Sequence, residues 1–128
     1  MQPGDCKTKK EAMSPEFRTD PPRSKVFQWG QLDSGNCHQI NGTLTITDDG
    51  WGRFECITWT DQTHTGDSWN HNFRIMDSQG VRMFDTWEQS GPRMDDGSPP
   101  PRYRWQTSFG YDKSVFDRIA QAVQFYSC

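Results

Sequence analysis

What most constrains this chain is a period of two. From Lys25 to Tyr111 apolar and polar residues alternate in short runs, and polar clusters carrying glycine separate them. Alternation sends successive side chains to opposite faces, which is the geometry of a half-buried strand and not of a helix. His38 to Thr47 shows it best, with Ile40, Gly42, Leu44 and Ile46 on one face and Thr43, Thr45 and Thr47 on the other. Asp48-Asp49-Gly50 then reads as a three-residue hairpin loop with Gly50 in the left-handed position. That loop pairs Thr47 with Trp51, Leu44 with Phe54 and Gly42 with Cys56, so apolar meets apolar.

A second hairpin follows the same plan. Trp69, His71, Phe73 and Ile75 share a face, Ser78-Gln79-Gly80 turns the chain, and Val81, Met83, Asp85 and Trp87 line the return strand. Repeating the first turn type sets Ile75 against Met83, Phe73 against Asp85 and His71 against Trp87. Three successive prolines, Pro99 to Pro101, exclude a helix interior or a central strand and favour an extended segment. A last strand has Tyr103, Trp105, Thr107 and Phe109 on one face and Arg102, Arg104, Gln106 and Ser108 on the other. Beyond it, Val115, Phe116, Ile119, Ala122, Val123 and Tyr126 form the apolar stripe of a predicted helix over 112–126, capped by Asp112 or Ser114.

The expected fold class is therefore mainly β: a small antiparallel barrel or two-sheet sandwich of about six strands in a meander, closed by one C-terminal α-helix. Residues 25–128 read as a single domain, since a chain of 128 residues has no room for a second core. Residues 1–24, where Lys, Glu and Pro follow no apolar period, read as a disordered leader or vector-derived segment. Only 31% of the chain is hydrophobic, so six Trp, eight Phe and three Tyr must supply much of the core.

Cysteine usage bears on compartment. Cys6, Cys37, Cys56 and Cys128 lack any CxxC spacing, and an even number in a thin-cored domain favours disulfides and a secreted, extracellular setting. Bridges are expected within the set Cys37, Cys56 and Cys128, with Cys6 outside the folded part. Asn41-Gly42-Thr43 is a glycosylation sequon. A net charge of -3 argues against a nucleic-acid partner, and no apolar run is long enough to span a membrane. No metal-site or cofactor motif is present, so neither is expected.

Two groups of residues carry candidate chemistry. In the preferred register His71 lies beside Trp87 and diagonal to Asp85, where a carboxylate would orient the imidazole for acid–base work. A hydrogen-bonded core histidine explains the same residue with less. The second group, Trp51, Trp59, Trp87, Tyr103 and Trp105 with Arg104, offers indole and phenol faces for stacking on sugar rings beside hydrogen-bonding side chains. Core packing competes for the same aromatics. Asp61 and Asp67 flank His64 in a polar loop that lacks the ligand order of a calcium site, and His38 reads as exposed. The leading functional reading is a secreted, non-catalytic module that binds a sugar or small amphipathic ligand. A nuclease-like hydrolase or toxin working through His71, and a host-directed interaction protein, are the alternatives.

Overall fold

The structure, a computed structural model, describes residues 9–15, 18–20 and 23–128. Among the described residues eleven strands follow one another: β1 (Lys10–Pro15), β2 (Arg18–Asp20), β3 (Ser24–Trp29), β4 (Leu32–Ser34), β5 (Cys37–Thr47), β6 (Trp51–Thr60), β7 (Asn70–Met76), β8 (Arg82–Asp85), β9 (Gln89–Ser90), β10 (Tyr103–Gly110) and β11 (Gln121–Ser127). They form two antiparallel sheets and no closed barrel. One sheet has the order β1-β11-β7-β8, with β9 also on β7; the other has the order β10-β6-β5-β3-β2, with β4 also on β5. The sheets pack face to face. Phe27, Leu44 and Phe54 of one meet Phe73, Ile75 and Ala122 of the other in a single core cluster, and Trp29 lies 5.6 Å from Phe73.

The predicted C-terminal helix does not form. Lys113–Arg118 make one 3-10 turn, capped by Asp112, whose carboxylate accepts from Ser114 N at 3.0 Å. From Gln121 the chain runs extended as β11, between β1 and β7. Ala122, Gln124 and Tyr126 are buried, and Arg74 covers the Phe125 ring at 5.2 Å. Residues 121–127 read Gln-Ala-Val-Gln-Phe-Tyr-Ser and follow no period of two, and strand partners on both sides override the helical stripe. The leader prediction is corrected at Lys10–Pro15, which forms the edge strand β1, and at Arg18–Asp20, which pairs with β3. Trp29 Nε1 donates to Ala12 O at 2.9 Å, and Gln28 N to Ser14 Oγ at 3.0 Å, tying β1 across to β3. Met1 to Thr8, Cys6 among them, lie outside the described residues.

A buried lysine holds the 3-10 turn in place. Lys25 is 8% exposed, and its ammonium donates to the carbonyls of Phe116, Asp117 and Ile119 at 2.9, 3.2 and 2.6 Å. The ammonium thus brings a charged donor to three carbonyls at the end of the turn, of which Phe116 O also accepts from Ile119 N.

The interior also carries polar groups. Gln39, Thr58, Thr60, His71 and Gln124 are fully buried near the junction with a second apolar cluster of Cys37, Trp69, Met94, Tyr126 and Cys128. Trp105 Nε1 donates to Thr58 Oγ1 at 2.8 Å, and Trp69 Nε1 to Gln124 Oε1 at 3.3 Å. The indole donors that a thin core must bury thus find oxygen partners inside it.

Candidate ligand-binding site

Strand alternation along β6 sends Phe54, Cys56 and Thr58 inward and leaves Trp51, Arg53 and Glu55 exposed on the outer face. The registers with β5 and β10 place Arg53 between Thr45 and Ser108, and Glu55 between Thr43 and Gln106. Thr45, Thr47, Asp49, Trp51, Arg53 and Ser108 line an open groove of about 280 Å³ on this face. Its floor includes Gly52, where a Cβ would fall 2.3 Å from the Phe109 ring, so only glycine lets that ring lie beneath. Trp51 is 59% exposed at the mouth of the hairpin. The turn beneath it is firmly held: Gly50 has φ +96°, Tyr111 N donates to Gly50 O at 2.9 Å, and Tyr111 Oη to Thr47 O at 2.5 Å. The first hairpin pairs Thr47 with Trp51 and Leu44 with Phe54, as the turn chemistry predicts.

The register changes farther along β5. Between Ile40 and Thr43 the pairing shifts by one residue at Asn41, which has φ +57°. Asn41 and Gly42 together oppose Cys56, which is a β-bulge. The bulge turns Gln39 inward, fully buried, and leaves Ile40 half-buried beside exposed Asn41, correcting the predicted face of Ile40. It also sets His38 opposite Trp59.

His38 lies in a clamp of two carboxylates. Its Nδ1 is 2.6 Å from Asp33 Oδ1, and its Nε2 is 2.5 Å from Asp61 Oδ2. Burial works against the charged imidazole, but the hydrogen bonds to Asp33 and Asp61 outweigh it and hold the His38 pKa above its ordinary value. The hydrogen bond from His38 holds the Asp33 carboxyl below its usual range. His38 packs against Trp59 with ring centroids 5.1 Å apart, and the Arg102 guanidinium sits 3.8 Å over the same indole. Trp59 is therefore enclosed, 9% exposed, and is not a free stacking surface. Asp61 is spent on this clamp, and Asp67 accepts instead from Thr60 Oγ1 at 2.7 Å.

His71 and Asp85 are not brought together. The second hairpin starts in the expected register, with Asp77 N donating to Val81 O, and Met76 pairs with Arg82. A bulge then skips Met83, so Phe84 opposes Ile75 and Asp85 opposes Arg74. That shift sends Asp85 to the outer face, where Arg74 Nε and Nη2 donate to its two oxygens at 2.9 and 3.2 Å. Phe84 instead packs half-buried against the core, stacked on Tyr111 at 5.5 Å. His71 points inward opposite Gln89 of β9, not Trp87, and is fully buried. It stacks on Trp105 at 5.4 Å, with Nε2 3.2 Å from Thr107 Oγ1. Burial, followed by the charge of Lys9, lowers its pKa to about 4. A neutral, enclosed imidazole has the character of a core residue.

Of the other predicted aromatics, Trp87 is 76% exposed. Tyr103 and Trp105 face inward and half-buried, Tyr103 accepting from Asp95 N at 3.0 Å. Arg104 is exposed on the outer face. Among the cysteines, Cys37 and Cys128 form a disulfide across a sequence separation of 91, while Cys56 is a buried free thiol. Burial pushes the Cys56 pKa up, which keeps that thiol protonated and unreactive. Sequence reasoning missed the His38 clamp because the bulge that aligns His38 with Trp59 leaves only a weak trace, a glycine inside a strand pattern.

No curated protein and no solved structure matches the chain. A family profile does match, over residues 43–128, from the hairpin that frames the groove through the terminal cysteine. The chain therefore belongs to DUF6294, a family of unknown function.

Proposed function

We propose that this protein is a non-catalytic binding module for carbohydrate, using the outer face of the sheet built around β6. The observation that carries the reading is Trp51, 59% exposed beside an open groove whose other walls are Thr45, Thr47, Asp49, Arg53 and Ser108. An uncovered indole offers a flat apolar face to a pyranose ring, and hydroxyls, a carboxylate and a guanidinium beside it match sugar hydroxyls. The hydrolase alternative through His71 draws no support from a ring enclosed in the core. The Cys37–Cys128 disulfide supports a secreted setting.

The test is a glycan array followed by calorimetry on the best ligand. Trp51→Ala should weaken binding about tenfold, equivalent to one lost stacking contact. Trp87→Ala, at a more exposed tryptophan outside the groove, should bind as wild type. An array on which the wild type retains nothing, or a ligand lost with Trp87 and not with Trp51, ends the proposal.

A further inference from the structure

A second cavity, of about 340 Å³, lies at the opposite end of β5 from the Trp51 groove. Cys37, Cys128, His64 and Asp67 are among its lining residues. The sulfur of Cys37, the sulfur of Cys128 and a carboxylate oxygen of Asp67 all lie within 4.8 Å of one another. Asp67 Oδ2 is 3.7 Å from Cys37 Sγ and accepts from Thr60 Oγ1, while the Asp67 backbone exchanges two hydrogen bonds with Met94. The carboxylate is thus positioned from two directions beside the bridge. Its loop is equally fixed. Gly66 N donates to Thr63 Oγ1, Arg93 Nε to Thr65 O, and Thr63 N to Asp96 Oδ2. Gly66 has φ +98°, and the Arg93 side chain occupies the place a Cβ would take.

We propose that the Cys37–Cys128 bridge, once reduced, becomes a site for a thiophilic divalent cation, with both thiolates and Asp67 as ligands and His64 as the fourth. A dithiol reductant supplies two electrons and two protons, leaves as its own disulfide, and yields the two thiols. The cation then displaces those two protons as it binds the thiolates. Zinc suits a set of two sulfurs, one oxygen and one imidazole nitrogen. In a tetrahedral zinc site the ligand atoms are about 3.3–3.8 Å apart, from bond lengths of about 2.0–2.3 Å. The two sulfurs and the Asp67 oxygen, already within 4.8 Å, therefore need only small side-chain movements, while exposed His64 has to swing in from the cavity wall, and the Cα separation of 6.2 Å accommodates two ligands as well as a bridge. Trp69, Met94 and Tyr126 pack with the two cysteines in one apolar cluster, and the Thr60 hydroxyl orients the carboxylate as an outer-shell partner. The inference is independent of carbohydrate binding.

The experiment uses the full chain carrying Cys6→Ser, reduced by a trialkylphosphine, which takes up oxygen from water and does not compete as a thiol ligand. Cobalt(II) should produce a thiolate-to-metal charge-transfer band saturating at one equivalent, which zinc then abolishes, and zinc should raise the melting temperature of the reduced chain. The oxidised chain should give no band. Asp67→Asn and His64→Ala should each weaken binding about tenfold or more. Absence of a one-equivalent band overturns the proposal if the reduced chain stays folded. So does failure of zinc to restore its β-sheet circular dichroism if reduction unfolds it, or an affinity indifferent to Asp67→Asn.

Discussion

Two histidines show how environment assigns opposite behaviour to one side-chain type. His71 is stacked and buried, and its pKa falls to about 4; His38 is held by two carboxylates, and its pKa rises. Between the ordinary value of 6.5 and about 4 the unfolded chain takes up a proton at position 71 that the folded chain refuses, so acid removes stability there. At position 38 the folded chain binds the proton more tightly. Its contribution is full below 6.5 and is lost as pH rises through the raised folded value. Melting temperatures across pH should therefore separate three proteins. Wild type should lose ground to His71→Phe as pH falls from 6.5 to 4. Its advantage over His38→Gln should be greatest in acid and shrink on the alkaline side, and parallel curves would contradict both assignments.

At the scale of elements, Lys25 shows that a residue far away in sequence decides where the chain turns. Its ammonium ends the 3-10 turn at Arg118 and frees the following residues to enter the sheet as β11. Removing the donor leaves buried carbonyls without their charged partner. Lys25→Met should cost about 1.5–3 kcal/mol in a denaturant titration, the range for hydrogen bonds to charged groups. The amides of β11 should remain among the slowest to exchange with solvent, because β1 and β7 pair it on both sides. A loss of less than about 0.5 kcal/mol would mean that water replaces the lysine freely. Bulges act at this same scale. One extra residue at Asn41-Gly42 and one at Met83 each re-aim the rest of a strand, and between them they bury Gln39, expose Asp85 and align His38 with Trp59.

For the whole molecule the Cys37–Cys128 bridge is a long-range covalent constraint, joining the start of β5 in one sheet to the residue after β11 in the other. A loop of this length restricts the unfolded chain strongly, and Cys37→Ser with Cys128→Ser should lower stability by about 2–4 kcal/mol, measured in chelator. An unchanged denaturation midpoint would show that the sheet interface alone holds the two ends. Much of this architecture was legible beforehand. Period-two alternation and the Asp48-Asp49-Gly50 turn determined a mainly β fold, the first hairpin, and the common face of Tyr103, Trp105, Thr107 and Phe109, because these depend on local backbone geometry. Setting Cys6 outside the folded part left Cys37, Cys56 and Cys128 as the bridging set, and the bridge joins the first and last of these. The tertiary structure decided what local pattern leaves degenerate. Residues 121–127 carry a helical stripe in sequence, and pairing with Lys10–Pro15, apolar in no period, and with β7 overrides it. Registers beyond a bulge follow from packing of both sheets, since one inserted residue exchanges every face after it. The separation of His71 from Asp85 and the meeting of His38 with Asp33, Asp61 and Trp59 are both of that kind.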